Sequence, residues 1–162
     1  MSKLGLLFFF LFFSSFSLLA DQLSGPRMGI TRVDAYSQQQ LQKIDIHLNP
    51  YITQFGWQFE RRFFTTQAGP AGVTAVIPLL GGFEQGVVVP SVSWVTGLRL
   101  RNGFEFAVGP SISLASTGIV FSVGHTSRLG DMNIPINLAY VVTRHGGRLS
   151  LLFGFNGRDP SP

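Results

Sequence analysis

Between residues 103 and 115 hydrophobic and polar positions alternate with hardly an error. Phe104, Phe106, Val108, Ile112 and Leu114 fall on one face, and Gly103, Glu105, Ala107, Gly109, Ser111, Ser113 and Ala115 on the other. Side chains of a strand alternate with a period of two, so this pattern predicts a strand with one apolar face and one small or polar face. The division recurs along the chain. In 51–63, Tyr51, Phe55, Trp57, Phe59 and Phe63 oppose Gln54, Gly56, Gln58, Glu60 and Arg62. In 86–101, Val88, Val92, Trp94, Leu98 and Leu100 oppose Ser91, Ser93, Gly97, Arg99 and Arg101. Residues 118–128 set Ile119, Phe121 and Val123 against Val120, Ser122 and Gly124. Met132, Ile134, Ile136, Leu138 and Tyr140 face away from Asn133, Asn137 and Ala139, and 147–156 offers Leu149, Leu151, Phe153 and Phe155. Two segments are weaker: 25–33, whose facing the pattern leaves open, and 70–80, with Val73, Ala75, Ile77 and Leu79 as its apolar face. Gly, Pro and Asn-Gly punctuation thus divides the chain into about eight strands. Residues 34–50, which include Ser37, Gln38, Gln39, Gln40, Leu41 and Gln42, interrupt the series as a polar loop or short helix.

Paired residues must share a face, so register tests these strands against one another. A two-residue Asn102-Gly103 turn would mix the faces. A three-residue loop of Arg101, Asn102 and left-handed Gly103 pairs Leu100 with Phe104 and Leu98 with Phe106. A Ser116-Thr117 turn pairs Ala115 with Gly118 and Ser113 with Val120. A Leu129-Gly130 turn pairs Ser127 with Met132, His125 with Ile134 and Phe121 with Leu138. A turn at His145-Gly146 pairs Tyr140 with Leu151 and Leu138 with Phe153. All four hairpins keep their faces. On these registers Glu105 lies between Arg99 and Arg128, and Arg128 also faces Asp131. Buried charge is costly unless paired, so Arg99, Glu105, Arg128 and Asp131, extended by Glu60 and Arg62, are expected to form a structural plug rather than an ion path.

Composition indicates which face is outside. Charged residues make up 12% of the chain, against about 25% in ordinary soluble domains. Lysine is confined to Lys3 and Lys43, beside ten arginines. A soluble barrel or sandwich would turn its apolar face inward and show a charged exterior. Here the second face is mainly Gly, Ala, Ser, Thr, Asn and Gln, which suits the crowded interior of a narrow eight-stranded barrel. The apolar face suits lipid, with Tyr51, Trp57, Trp94, Phe104, Phe106, Tyr140, Phe153 and Phe155 as lipid-facing aromatics. Closure satisfies every strand's backbone in a bilayer. The expected fold is therefore all-β, an antiparallel up-and-down barrel of about eight strands. Lys3, the apolar run 4–19 and the small residue Ala20 read as a cleaved signal peptide over 1–20, leaving 21–162 as one barrel domain. With no Cys, neither a lipoprotein anchor nor a disulfide framework is expected. The formal charge of +4 is spread singly along strands, so nucleic acid is not an expected partner.

This layout resembles the small outer-membrane β-barrel proteins of Gram-negative bacteria. Gly25, Pro26, Arg27, Met28, Gly29, Ile30 and Thr31, and the segment from Gln54 to Glu60, resemble uncharacterised exported members. The last strand, with Leu149, Leu151, Phe153, Gly154 and Phe155, is similar to the family's assembly signal. The resemblance implies outer-membrane lipid and the barrel assembly machinery as partners, and a compartment rather than an activity. The sharpest catalytic candidate is His125-Thr126-Ser127, similar to the His-x-Ser of outer-membrane lipid A deacylases. A Ser nucleophile needs a base, and the base an orienting carboxylate. No Glu follows Ser127, and Glu105 and Asp131 point inward. His47, His125 and His145 have no metal-ligand spacing. The expectation is a monomeric, non-enzymatic outer-membrane barrel with no metal or cofactor and a structural or surface-recognition role. The alternatives are a periplasmic or secreted soluble barrel that binds an apolar ligand, and a lipid-modifying barrel enzyme.

Overall fold

The computed structural model describes residues 24–66, 69–130 and 132–157. The expected signal peptide, 1–20, and Asp131 lie outside the described residues. The order of elements is β1 (Gly25–Arg32), α1 (Ala35–Gln42), β2 (Tyr51–Thr65), β3 (Ala71–Gly81), a 3-10 turn (Phe83–Gln85), β4 (Val89–Arg99), β5 (Phe104–Ser113), β6 (Thr117–Leu129), β7 (Met132–Thr143), β8 (Gly146–Gly154) and β9 (Asn156–Gly157). Each of β1 to β8 pairs antiparallel with its sequence neighbour. β8 then pairs with β1, Met28 opposite Phe153 and Ile30 opposite Leu151, and this closes an eight-stranded up-and-down barrel. β9 pairs Asn156 with Asn133 and Gly157 with Met132, in line with the β8 register on β7, so it continues the last strand past Phe155.

Alternation translates directly into facing. Outward side chains such as Phe106, Ile112, Phe121 and Leu151 are exposed, while inward Glu105, Ser111, Val120 and Ser150 are buried. Exposed large apolar residues outnumber buried hydrophobic ones, the inverse of a water-soluble domain. Among the described strand residues, Arg32 and Arg61 alone carry a Lys, Arg, Asp or Glu on the outward face. β3 departs from expectation. Val73, Ala75 and Leu79 face the lumen and are buried, and the outward row is Thr74, Val76, Pro78 and exposed Leu80. Both faces of β3 are largely apolar, so its alternation alone could not assign the inside.

The registers divide in the same way. At β4–β5, Leu98 pairs with Phe106 and Arg99 with Glu105, as expected. The Leu100 N–H donates to the Phe104 carbonyl at 2.7 Å, and Gly103 has φ +88°, a conformation glycine adopts without steric cost. The other three hairpins correct the expectation. Gly118 pairs with Ser111 rather than Ala115, Phe121 with Tyr140 rather than Leu138, and Tyr140 with Leu149 rather than Leu151. Every displacement is an even number of residues, to which a period-two pattern is blind. Turn chemistry makes the choice. Ser113 Oγ donates to the Ser116 carbonyl at 3.0 Å and accepts from its N–H at 3.1 Å, which tightens the turn to Leu114 and Ala115. Thr143 Oγ1 donates to the Gly146 carbonyl at 3.0 Å, bracketing Arg144 and His145.

The undecided segment 34–50 begins as a helix. Asp34 caps α1, accepting from the Ser37 N–H at 2.8 Å and the Ser37 hydroxyl at 3.0 Å. α1 and the residues after it cover one end of the barrel, called here the mouth. Leu41 and Leu48 pack there on Val33, Ile52, Val89 and Ala115. The opposite, terminal end is where β1 begins and β8 stops.

Candidate functional site

Near the terminal end the inward faces build a continuous polar network. Arg99 from β4 forks between two carboxylates. Its Nη1 and Nη2 donate to Glu60 Oε1 and Oε2 at 2.5 and 2.8 Å, while Nε and Nη2 donate to Glu105 Oε2 at 2.9 and 2.6 Å. Asn137 Nδ2 from β7 donates to the other oxygen of Glu105 at 2.5 Å. Gly124 of β6 lies between them in the ladder, and a Cβ there would come within 2.3 Å of Asn137 Nδ2. That glycine lets the amide cross its strand. On the other side, Gln58 Nε2 donates to Glu60 at 2.8 Å and its Oε1 accepts from Arg27 Nε at 3.0 Å. Arg27, 2% exposed, also donates to Asn156 Oδ1 at 3.0 Å. Two arginines and two glutamates thus balance in charge across the closed wall, and fork geometry with supplementary amides offsets their desolvation.

Arg99, Glu105 and Glu60 come together, whereas Arg128 and Arg62 do not join them. Because β6 is displaced, Glu105 faces Gly124, while Arg128 lies opposite Asn133 and is exposed at the rim. Arg62 is half-buried, and its Nε has no hydrogen-bond partner among the described residues. Arg27, Gln58, Asn137 and Asn156 were not anticipated. Arg27 had a usable signal: it shares odd positions with Gly25, Gly29 and Thr31, against apolar Met28 and Ile30.

The mouth side of the lumen is different. A layer of Ala75, Val95, Val120, Ala139 and Val141 fills mid-barrel. Between this layer and α1 lies a cavity of about 50 Å³. Thr31 Oγ1 donates to Gln54 Oε1 at 2.5 Å and lies 2.7 Å from Ser150 Oγ on its wall. The cover is held to the rim by further contacts: Ser37 Oγ, its own proton given to Asp34, lies 3.4 Å from Ser116 Oγ, and the Tyr36 and His145 rings lie 4.5 Å apart. Gln85 ties the two mouth loops together, accepting from the Asn49 N–H at 2.7 Å and donating to the Tyr51 carbonyl at 2.8 Å.

Outside, Tyr51, Trp57, Trp94, Phe104, Phe106, Tyr140, Phe153 and Phe155 are all exposed on the apolar face. His125 and Ser127 also point outward, with Ser127 Oγ 3.3 Å from His125 Nδ1. His125 Nε2 lies 3.2 Å from the Asn102 carbonyl, where a triad would place a carboxylate. No group of His, Cys, Asp and Glu among the described residues is arranged to hold a metal ion. Compared with protein families, curated proteins and solved structures, the chain finds no match.

Proposed function

We propose that this chain is a non-enzymatic bacterial outer-membrane protein, a monomeric barrel plugged by its own side chains, with a structural or surface-recognition role. The observation that carries this reading is the apolar exterior. Exposed Phe, Leu, Ile, Val, Tyr and Trp side chains occur on every strand from β1 to β8, and among the described residues charge on the strands' outward face is found only at Arg32 and Arg61. In water such a surface would drive association; in hydrocarbon it is the expected lining. Strands of 8 to 15 residues fit the span of tilted membrane strands. Closure supplies the backbone partners that lipid cannot.

The remaining parts of the reading follow from this address. Residues 1–20 act as the export signal, and the last strand, ending on Phe153 and Phe155, engages the barrel assembly machinery. The charge-balanced network near the terminal end argues for a plug rather than a pore. The joined mouth loops, with exposed Gln39, Gln42, Lys43 and His47, are the surface available for recognition. Fractionation of the native cell tests the proposal directly. The protein is expected in the outer-membrane fraction and should migrate differently on gels before and after boiling. A monodisperse, detergent-free, water-soluble monomer would overturn it and favour the soluble ligand-binding barrel.

A further inference from the structure

The charges of the terminal-end network are mutually satisfied, but one buried cation stands apart. Arg148 on β8 is 6% exposed and lines the cavity beneath α1. Its side chain makes no hydrogen bond or ion pair with any described residue, in contrast to those of Arg27 and Arg99. The carboxylate whose field reaches it is Asp34. Asp34, however, directs both its oxygens to Ser37 as the cap of α1.

A second donor lines the same space. Thr31 gives its proton to Gln54 Oε1 and so accepts from Ser150. Gln54 is 7% exposed, and its amide NH₂ donates to no described residue. Neither Arg148 nor Gln54 has a side-chain nitrogen among the sealed, unpartnered polar atoms of the described residues, so both open onto the cavity, where a guanidinium is well placed to meet an anion. Most of the remaining wall is hydrocarbon, including Leu41, Leu48, Ile52 and Val89, with the hydroxyls of Ser91, Ser93 and Ser111 along one side, Ser93 donating to Ser111. A cavity of about 50 Å³ holds roughly three to five water-sized groups. One cation, one amide donor and a small, mainly apolar chamber together define their complement.

We propose that the cavity under α1 is a binding site for a compact monocarboxylate, its carboxylate held by Arg148 and its short tail enclosed by the apolar wall. Entry is from the mouth, past α1, because the Arg27–Glu60–Arg99–Glu105 network closes the other end. The site requires only the folded barrel and is independent of where in the cell the barrel resides.

Titration of the folded full-length barrel with sodium propionate, followed by calorimetry or by amide shifts of residues lining the cavity, tests this. Saturable binding is expected, at least tenfold tighter than that of propionamide, which has the same shape without the charge. Arg148→Gln should weaken propionate at least tenfold. Ala115→Leu, which fills the cavity and leaves the cation in place, should block it while the barrel stays folded. Should Arg148→Gln fail to fold, the propionamide comparison and Ala115→Leu still decide. The proposal is overturned if propionate does not saturate, if propionamide binds equally, or if either variant binds propionate like the parent. Inorganic phosphate binding as tightly as propionate would overturn the enclosed tail.

Discussion

Near its terminal end the lumen is filled by charge; beneath the mouth it is lined mainly by hydrocarbon around a small cavity and covered by a helix. The same strands supply both halves. Glu105 and Ser111 share a face of β5, as do Arg27 and Thr31 on β1. The terminal half meets the cost of burial by geometry: each guanidinium nitrogen of Arg99 reaches a carboxylate, and Gln58, Asn137 and Asn156 take up lone pairs and protons that the ions leave over. The mouth half avoids most of that cost by using Val, Ala and Leu, and then needs a cover, because a barrel mouth is open where the strands end. Charge can be buried where the wall itself presents partners. Where it does not, as at Arg148, the chamber stays mainly apolar and one cation stays unmatched.

The strongest way to break this comparison is Arg99→Met. It leaves Glu60 and Glu105 facing each other without their shared cation, and loss of one partner of a buried pair costs about 3–5 kcal/mol. Urea midpoints of the refolded barrel should fall accordingly, while the mouth keeps its structure until the barrel itself unfolds. Glu105→Leu should destabilise less, because Glu60 still engages Arg99. An unchanged midpoint in both would mean the network is not a plug. Leu41→Ala acts on the other half. Leu41 is fully buried, and such truncations cost about 2–5 kcal/mol. Here the loss should be local: amides of α1 should exchange faster with solvent, and those around Glu105 should not.

Gly124→Ala sharpens the contrast at a single atom. The added methyl displaces Asn137 from Glu105, and a hydrogen bond to a charged group contributes about 1.5–3 kcal/mol. The same substitution at Gly130, where a Cβ meets nothing within 4 Å, should cost only backbone strain from its φ of +60°. The smallest effect lies in the loop after β3. Burial is the largest single influence and opposes ionisation of Glu84, but hydrogen bonds from the Thr53 hydroxyl and N–H, its own backbone N–H and the Gln85 amide together outweigh it and hold the carboxyl below its usual range. A depressed folded value contributes stability above the unfolded pKa that is lost as pH falls through the folded one. Acidification through that lowered value should therefore loosen this loop, seen in the amide shifts of Thr53 and Glu84, and Thr53→Val should move that transition upward.

Alternation alone determined much of this molecule. Phe104, Phe106, Trp94 and Leu151 could be assigned to one face, and Glu105, Arg99 and Ser111 to the other, because a strand offers each residue only two directions. The Arg101–Gly103 loop was legible too, since one loop length keeps the faces matched and asks for glycine where φ is positive. What parity cannot do is count. A slip of two or four residues preserves every face, so only the closed ladder, with Ser113 and Thr143 tightening their turns, moved Arg128 to the rim and brought Asn137 to Glu105. Nor can alternation assign a strand with two apolar faces, as in β3, or show that Arg27 and Asn156 meet across the closure of β1 on β8. Those contacts join the two ends of the barrel wall, and they exist only once it closes.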